Sequence, residues 1–140
     1  MIWKNRPTLQ HLQSIHEKTA VVQLGIEFTE VTDDSISARM PVDTRTLQPM
    51  GLLHGGSSVL LAETLGSCAA NCCVDSANFL CVGLDINANH VRGVRSGWVH
   101  GTTKAVHIGS TTQVWEILIR DDADRLICVS RITMAVIARR

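Results

Sequence analysis

Apolar and polar residues change rhythm several times along the chain, and each change marks an element. In the segment Thr8 to His16 the apolar positions 9, 12 and 15 fall on one face of a short helix, with Thr8 placed to cap it after Pro7. From Leu24 to Val42 apolar and polar residues alternate on either side of Asp33-Asp34, which reads as a β-hairpin. Residues 43 to 54 carry Pro49 and Gly51 without a period, so they read as a loop that delivers Gln48 and His54. Gly55 to about Val74 is apolar or small around nearly its whole circumference, which predicts a long helix covered on most sides, with Ser57 or Ser58 as the helix-start residue.

After a turn at Asp75 to Asn78, alternation returns in four strands: Leu80 to Val91, Gly97 to Ile108, Thr111 to Arg120 and Arg125 to Ile137. Their succession suggests an antiparallel meander. One long helix with about six strands, and no repeated strand-helix alternation, predicts one α+β domain over residues 1–140, the helix packed on a curved antiparallel sheet.

Composition narrows the function. The 140 residues are 45% hydrophobic and 19% charged, with 13 Lys+Arg against 13 Asp+Glu. A neutral chain without charge runs argues against nucleic acid and anionic membranes as partners. With no Tyr and only five Phe and Trp, a base-stacking platform is equally unsuited. Five cysteines, odd in number and set in apolar stretches, and an N-terminus without an apolar signal core, lead us to expect a reducing, cytoplasmic setting. Cys68, Cys72 and Cys73 lack a matching second ligand pair, so they read as small buried hydrophobes and no metal site is expected. A nucleophile elbow and a P-loop are both excluded, because neither glycine pattern occurs.

Two features carry chemistry. Gly55-Gly56 at a helix entry either allows a tight turn or offers backbone N–H groups, aided by the helix dipole, to a developing oxyanion. Glu63 is the only charged residue between His54 and Val74. It either faces solvent or makes a structural bond, or it is a carboxylate in an apolar pocket poised as base or nucleophile, with Ser67 at i+4 on the same face. Eight residues of helix separate Gly55 from Glu63 by about 12 Å, too far for both to reach one carbonyl group easily. A site shared across a two-fold dimer resolves the spacing.

The blocks Gln48-Pro-x-Gly-Leu-Leu-His-Gly-Gly-x-Ser, Ala62-Glu63-x-x-Gly-Ser67 and Val82 to Arg92, with the ends Met1-Ile-Trp-Lys and Ser130-Arg-Ile-Thr, resemble the hotdog-fold acyl-CoA thioesterases over essentially the whole chain. Within them the resemblance is to the dihydroxynaphthoyl-CoA hydrolases of menaquinone biosynthesis and the enterobactin proofreading thioesterases. It implies hydrolysis of an acyl- or aroyl-CoA thioester without a separate cofactor. It also implies a homodimer with active sites between subunits, usually paired into a tetramer. Glu63 would be nucleophile or general base, the Gly55 N–H the oxyanion donor, Gln48 and His54 the groups that orient the thioester, and Ser67 an aid to water. Gly83, the run His90, Val91, Arg92 and Gly93, and the run His107, Ile108, Gly109, Ser110, Thr111 and Thr112 match coenzyme A-binding segments, although His90 and Arg92 alone also read as a solvated strand end. Met50 replaces the usual Phe, and Ala69-Ala70-Asn71-Cys72-Cys73 replaces a less polar run, which bears on the acyl group. The rivals are a broad-specificity or carrier-protein proofreading thioesterase, a non-catalytic acyl-CoA-binding domain and a hotdog dehydratase.

Overall fold

The long helix organises the rest. Its inward residues, Ser58, Leu61, Ala62, Leu65, Gly66, Ala69 and Ala70, are buried, so α3 (Gly55–Cys72) lays one side along a sheet. In the computed structural model, which describes residues 1–140, the remaining elements are α1 (Leu9–Ser14), α2 (Ala20–Gln23), β1 (Glu27–Val31), β2 (Ser35–Pro41), β3 (Phe79–His90), β4 (Trp98–Ile108), β5 (Thr112–Asp121) and β6 (Leu126–Ala138). All six strands form one antiparallel sheet in the order β1-β2-β4-β5-β6-β3, with α3 against β2 to β6. This is the hotdog arrangement.

Burial follows the alternation. Strand β5 alternates strictly, its buried residues Gln113, Trp115, Ile117, Ile119 and Asp121 sharing one face. Register irregularities in β1, β3, β4 and β6 interrupt the ladder and bend the strands. Trp3 stacks on the buried Trp115 with ring centroids 6.3 Å apart and donates its indole N–H to Thr32 O at 2.7 Å, tying the chain's first residues to the core.

Three expectations are corrected. The four later strands are not a simple meander: β4, β5 and β6 follow one another, but β3 lies outside β6 instead of beside β4. Residues 91–97 make no hairpin, because their backbone bonds go elsewhere: Val91 N–H to Ile127 O, Leu53 N–H to Val94 O and Val42 N–H to Gly97 O. The short helix α2, capped by Thr19, was not foreseen, since four residues are too few to show a period. In α1 only Leu12 is buried, while Leu9 and Ile15 stay exposed.

The sheet ends at β3. This strand pairs only with β6, and it leaves Phe79, Val82 and the 63%-exposed Leu84 open at the edge. Asn71 covers part of that edge: its amide accepts from Cys81 N–H at 2.9 Å and donates to Cys81 O at 3.1 Å, a side chain standing in for a neighbouring strand.

Candidate active site

The entry to α3 is built by the loop before it. His54 N–H donates to Thr46 O at 2.8 Å, which fixes the approach of the chain, and the His54 imidazole caps the helix by accepting from Gly56 N–H at Nδ1, also at 2.8 Å. Sequence reasoning placed the cap at Ser57 or Ser58; both lie inside the first turns, because an imidazole nitrogen two residues earlier takes the free amide. The cap fixes the tautomer, so neutral His54 presents Nε2–H outward. The preceding amide, Gly55 N–H, has no partner. It is an unpaired donor at the positive end of an 18-residue helix, suited to a carbonyl oxygen gaining charge.

Gln48 lies across from it. Its Oε1 accepts from Met50 N–H, leaving the amide NH₂ free to donate. Gln48, Gly55, Ser58, His90, Arg92 and Gly93 are among the residues lining one depression of about 360 Å³. The His90 ring comes so close that a Cβ at position 55 would lie 2.9 Å from its Nε2, so only glycine fits there without moving the imidazole. Val91, at the same rim, is exposed.

Glu63 sits elsewhere. Its carboxylate is exposed in the single chain and forms no hydrogen bond or ion pair, so of the two sequence readings the solvent-facing one describes the isolated chain. The apolar neighbours that suggested a pocket, Leu61, Ala62 and Leu65, turn to the other side of α3. Glu63 rests against β3 at Gly83, where a Cβ would approach its Oε1 to 2.8 Å. With Ser67, Leu60, Thr64, Cys68 and His16 it lines a second depression of about 290 Å³.

The candidate residues therefore fall into separate groups. Gln48, Gly55, His90, Arg92 and Gly93 meet in one depression; Glu63 and Ser67 meet in another, with Gly83 beside the carboxylate. His54 lines neither, and reaches the first only through its cap on Gly56. The run His107 to Thr112 spans the end of β4, the turn and the first residue of β5, and lines neither. Its end is tied to the β3 side of the sheet, because Thr112 and Val82 both pair with Ala135 across β6. His16 was missed by sequence reasoning, since a lone histidine beyond a short helix carries no motif.

Residues 50–128, from the loop before α3 into β6, match the family model described as the thioesterase superfamily. The chain belongs to the thioesterase superfamily. This thioesterase is 50% identical over 137 residues, 98% of this chain and 100% of the relative, to the 1,4-dihydroxy-2-naphthoyl-CoA hydrolase of Escherichia coli. It is 48% identical over 136 residues, 97% of this chain and 98% of the relative, to the proofreading thioesterase EntH of Cronobacter turicensis. Among solved structures, a mutant thioesterase of Pseudomonas aeruginosa superposes with TM-score 0.98 at 47% identity, covering 99% of this chain and 100% of that one. The thioesterase is an enzyme of thioester hydrolysis, and none of its helices is long and apolar enough to cross a membrane.

Proposed function

We propose that the protein hydrolyses an aroyl or acyl thioester of coenzyme A in a site completed by a second copy of the chain. Gly55 N–H and Gln48 of one copy hold the thioester oxygen, and Glu63 of the other faces the carbonyl carbon. The observation that carries this reading is the division of the candidate groups between two depressions with no lining residue in common. About 12 Å of helix axis lies between Gly55 and Glu63, while one carbonyl needs donor and carboxylate each at roughly 3 Å. The unpaired, partly apolar edge of β3, with Gly83 beside Glu63 and His90 beside Gly55, is the surface on which two copies would meet.

The chemistry then balances with few groups. As Glu63 attacks the carbonyl carbon, or takes a proton from a water that does, the C–O bond forms and the oxygen charge falls on the Gly55 N–H. Collapse breaks the C–S bond and releases coenzyme A as a thiolate, which needs little help because a thiol ionises near pH 8.5. If an acyl-glutamate forms, water held by Ser67 cleaves it. Arg92 supplies a guanidinium for a phosphate of the coenzyme. The relatives' names favour an aromatic acyl group, the dihydroxynaphthoyl thioester of menaquinone synthesis among them; similarity to a proofreading thioesterase favours a carrier-protein thioester as the second reading. Five free thiols suit a cytoplasmic enzyme.

Complementation tests the shared site. Glu63→Gln and Gln48→Ala should each lose most thiol release from benzoyl-CoA. Mixed and re-equilibrated, they should recover up to about a quarter of wild-type activity, because half the dimers are hybrids with one intact site. No recovery, with exchange of subunits verified, would refute the shared site. Activity of Glu63→Gln at the wild-type rate would refute the mechanism.

A further inference from the structure

Past Glu63 and Ser67, toward the C-terminal half of α3, the second depression opens into the largest cavity of the chain. This is a groove of about 580 Å³ between α1 and α3, and the two cavities share His16, Ser67 and Cys68. Leu12, Ile15 and Cys72 line the groove further on. An acyl group whose carbonyl lies at Glu63 has this groove as its continuation.

His16 stands at the junction, and its orientation is fixed from two sides. Nδ1–H donates to Leu12 O at 2.7 Å, and the ring lies against Phe28 with centroids 5.4 Å apart. A carbonyl accepts only, so Nδ1 carries a proton, and in the neutral form of the ring the lone pair of Nε2 turns toward α3. The one hydrogen-bond contact of Nε2 is with the Cys68 sulfur at 3.9 Å. Burial pushes the Cys68 thiol up to about 12, so it remains S–H, a weak donor at long range. A half-buried imidazole with a fixed tautomer therefore presents an acceptor that the protein itself barely uses.

We propose that His16 is a specificity-determining residue, whose Nε2 accepts a hydrogen bond from a hydroxyl on the acyl group and so selects hydroxylated acyl or aroyl thioesters. This rests on the reading of Glu63 as the group that meets the thioester carbonyl. Cys68, which Nε2 faces, is five residues beyond Glu63, about 7.5 Å along the helix axis. That separation suits a hydroxyl carried across one aromatic ring from the carbonyl, and the groove beyond has room for a second fused ring. Leu12, Ile15 and the thiols of Cys68 and Cys72 give the groove its apolar part, beside polar residues that include Asn5, Thr8 and Asn71. A hydroxyl bound against the apolar part of the groove loses its bond to water, and Nε2, fixed in orientation near the carbonyl end, compensates that loss, so it favours substrates carrying the hydroxyl.

The test separates recognition from turnover. S-phenacyl-CoA and its 3- and 4-hydroxyphenacyl counterparts are thioether ketones that cannot be hydrolysed, and calorimetry gives their dissociation constants. The full-length protein should bind the better hydroxylated isomer roughly five- to tenfold more tightly than the unsubstituted ligand. His16→Phe, which keeps a ring against Phe28, should bring that ratio to about 1 and leave the affinity for the unsubstituted ligand within about twofold. His16→Gln, which keeps an acceptor, should restore part of the preference. A wild-type ratio near 1, a preference that persists in His16→Phe, or equal weakening of all the ligands would overturn the proposal. Failure of the Glu63 mechanism appears instead in benzoyl-CoA turnover by Glu63→Gln, so the two readings fail in different measurements.

Discussion

Replacing Gly83 by Ala would probe the carboxylate without touching it. The backbone there is not in the left-handed region, so a side chain brings no φ strain. The new methyl would lie 2.8 Å from Glu63 Oε1, 3.9 Å from Glu63 Cδ and 3.8 Å from Ile132 Cδ1, so the carboxylate oxygen alone is crowded. Restoring an ordinary contact requires that oxygen to retreat by about 0.6 Å or more, which a long exposed side chain does at little cost to the fold. Alanine is also favoured over glycine within a strand by about 0.5–1 kcal/mol, so stability should hold or rise slightly. A displacement of 1 Å in a reacting group costs about a hundredfold in rate, which puts the expected loss of kcat at about ten- to a hundredfold, or about 1.4–2.7 kcal/mol of barrier. Thiol release from benzoyl-CoA at saturating substrate, with urea unfolding alongside, measures both quantities. Combining the change with Glu63→Gln should add almost nothing, because both act on one group. If KM rises while kcat stays, Gly83 serves the coenzyme and not the carboxylate, and the reasoning fails. Unchanged kinetics in a folded protein would mean that this position of Glu63 is not the working one.

Two further predictions concern the fold that holds the site. At Gly66 on the buried side of α3, an added Cβ would come within 2.5 Å of the Ile132 Cγ2, a methyl on a stiff β-branched residue that is itself buried. The clash outweighs the gain in helix propensity of about 1 kcal/mol, so Gly66→Ala should be less stable by about 1–2 kcal/mol in urea unfolding at fixed protomer concentration; a more stable variant would show that β6 yields freely. Asp121 is nearly buried and accepts from Arg125 N–H at 2.9 Å, Arg125 Nε at 2.8 Å and Ala123 N–H at 3.0 Å. The Arg125 N–H bond first, then the Arg125 side chain and the Ala123 N–H, hold its carboxyl below the usual carboxylate range against the opposing effect of burial. Its contribution is therefore complete above the unfolded pKa of about 3.9 and is lost as pH falls through the lower folded value. The stability difference between wild type and Asp121→Asn should be constant near neutrality and shrink below about pH 4; a difference that persists unchanged to pH 3 would refute the assignment.

The sequence revealed faces better than neighbours. Alternation in β5 and the apolar run of α3 placed both elements within a residue or two, because periodicity records which side of an element is buried. It does not record which strand lies alongside, so β3 was expected in a meander when it pairs with β6. The site followed the same division. The motif around Gly55 and Glu63 stood out in the sequence, and the two residues, eight positions apart on α3, line different depressions. The exposure of Glu63 was not legible, since apolar neighbours in sequence occupy the opposite side of the helix. The imidazole cap of His54 depends on one hydrogen bond, Gly56 N–H to Nδ1, and the orientation of His16 on another, Nδ1–H to Leu12 O, together with the Phe28 ring, and such contacts leave no pattern in composition or period.

The place of β3 has a consequence for how the chain reaches this structure. Strands β1 and β2 can zip as a hairpin, as can β4 with β5 and β5 with β6, but β3 must wait for a strand whose partner residues come roughly 40 to 60 positions later. During that interval the edge of β3 that β6 will cover and the inner face of α3 lie open. Joining β3 to β6, like joining β2 to β4 across roughly 57 to 69 positions, is thus a late, long-range event, and these are the steps at which folding should be slowest and at which premature association between chains would begin.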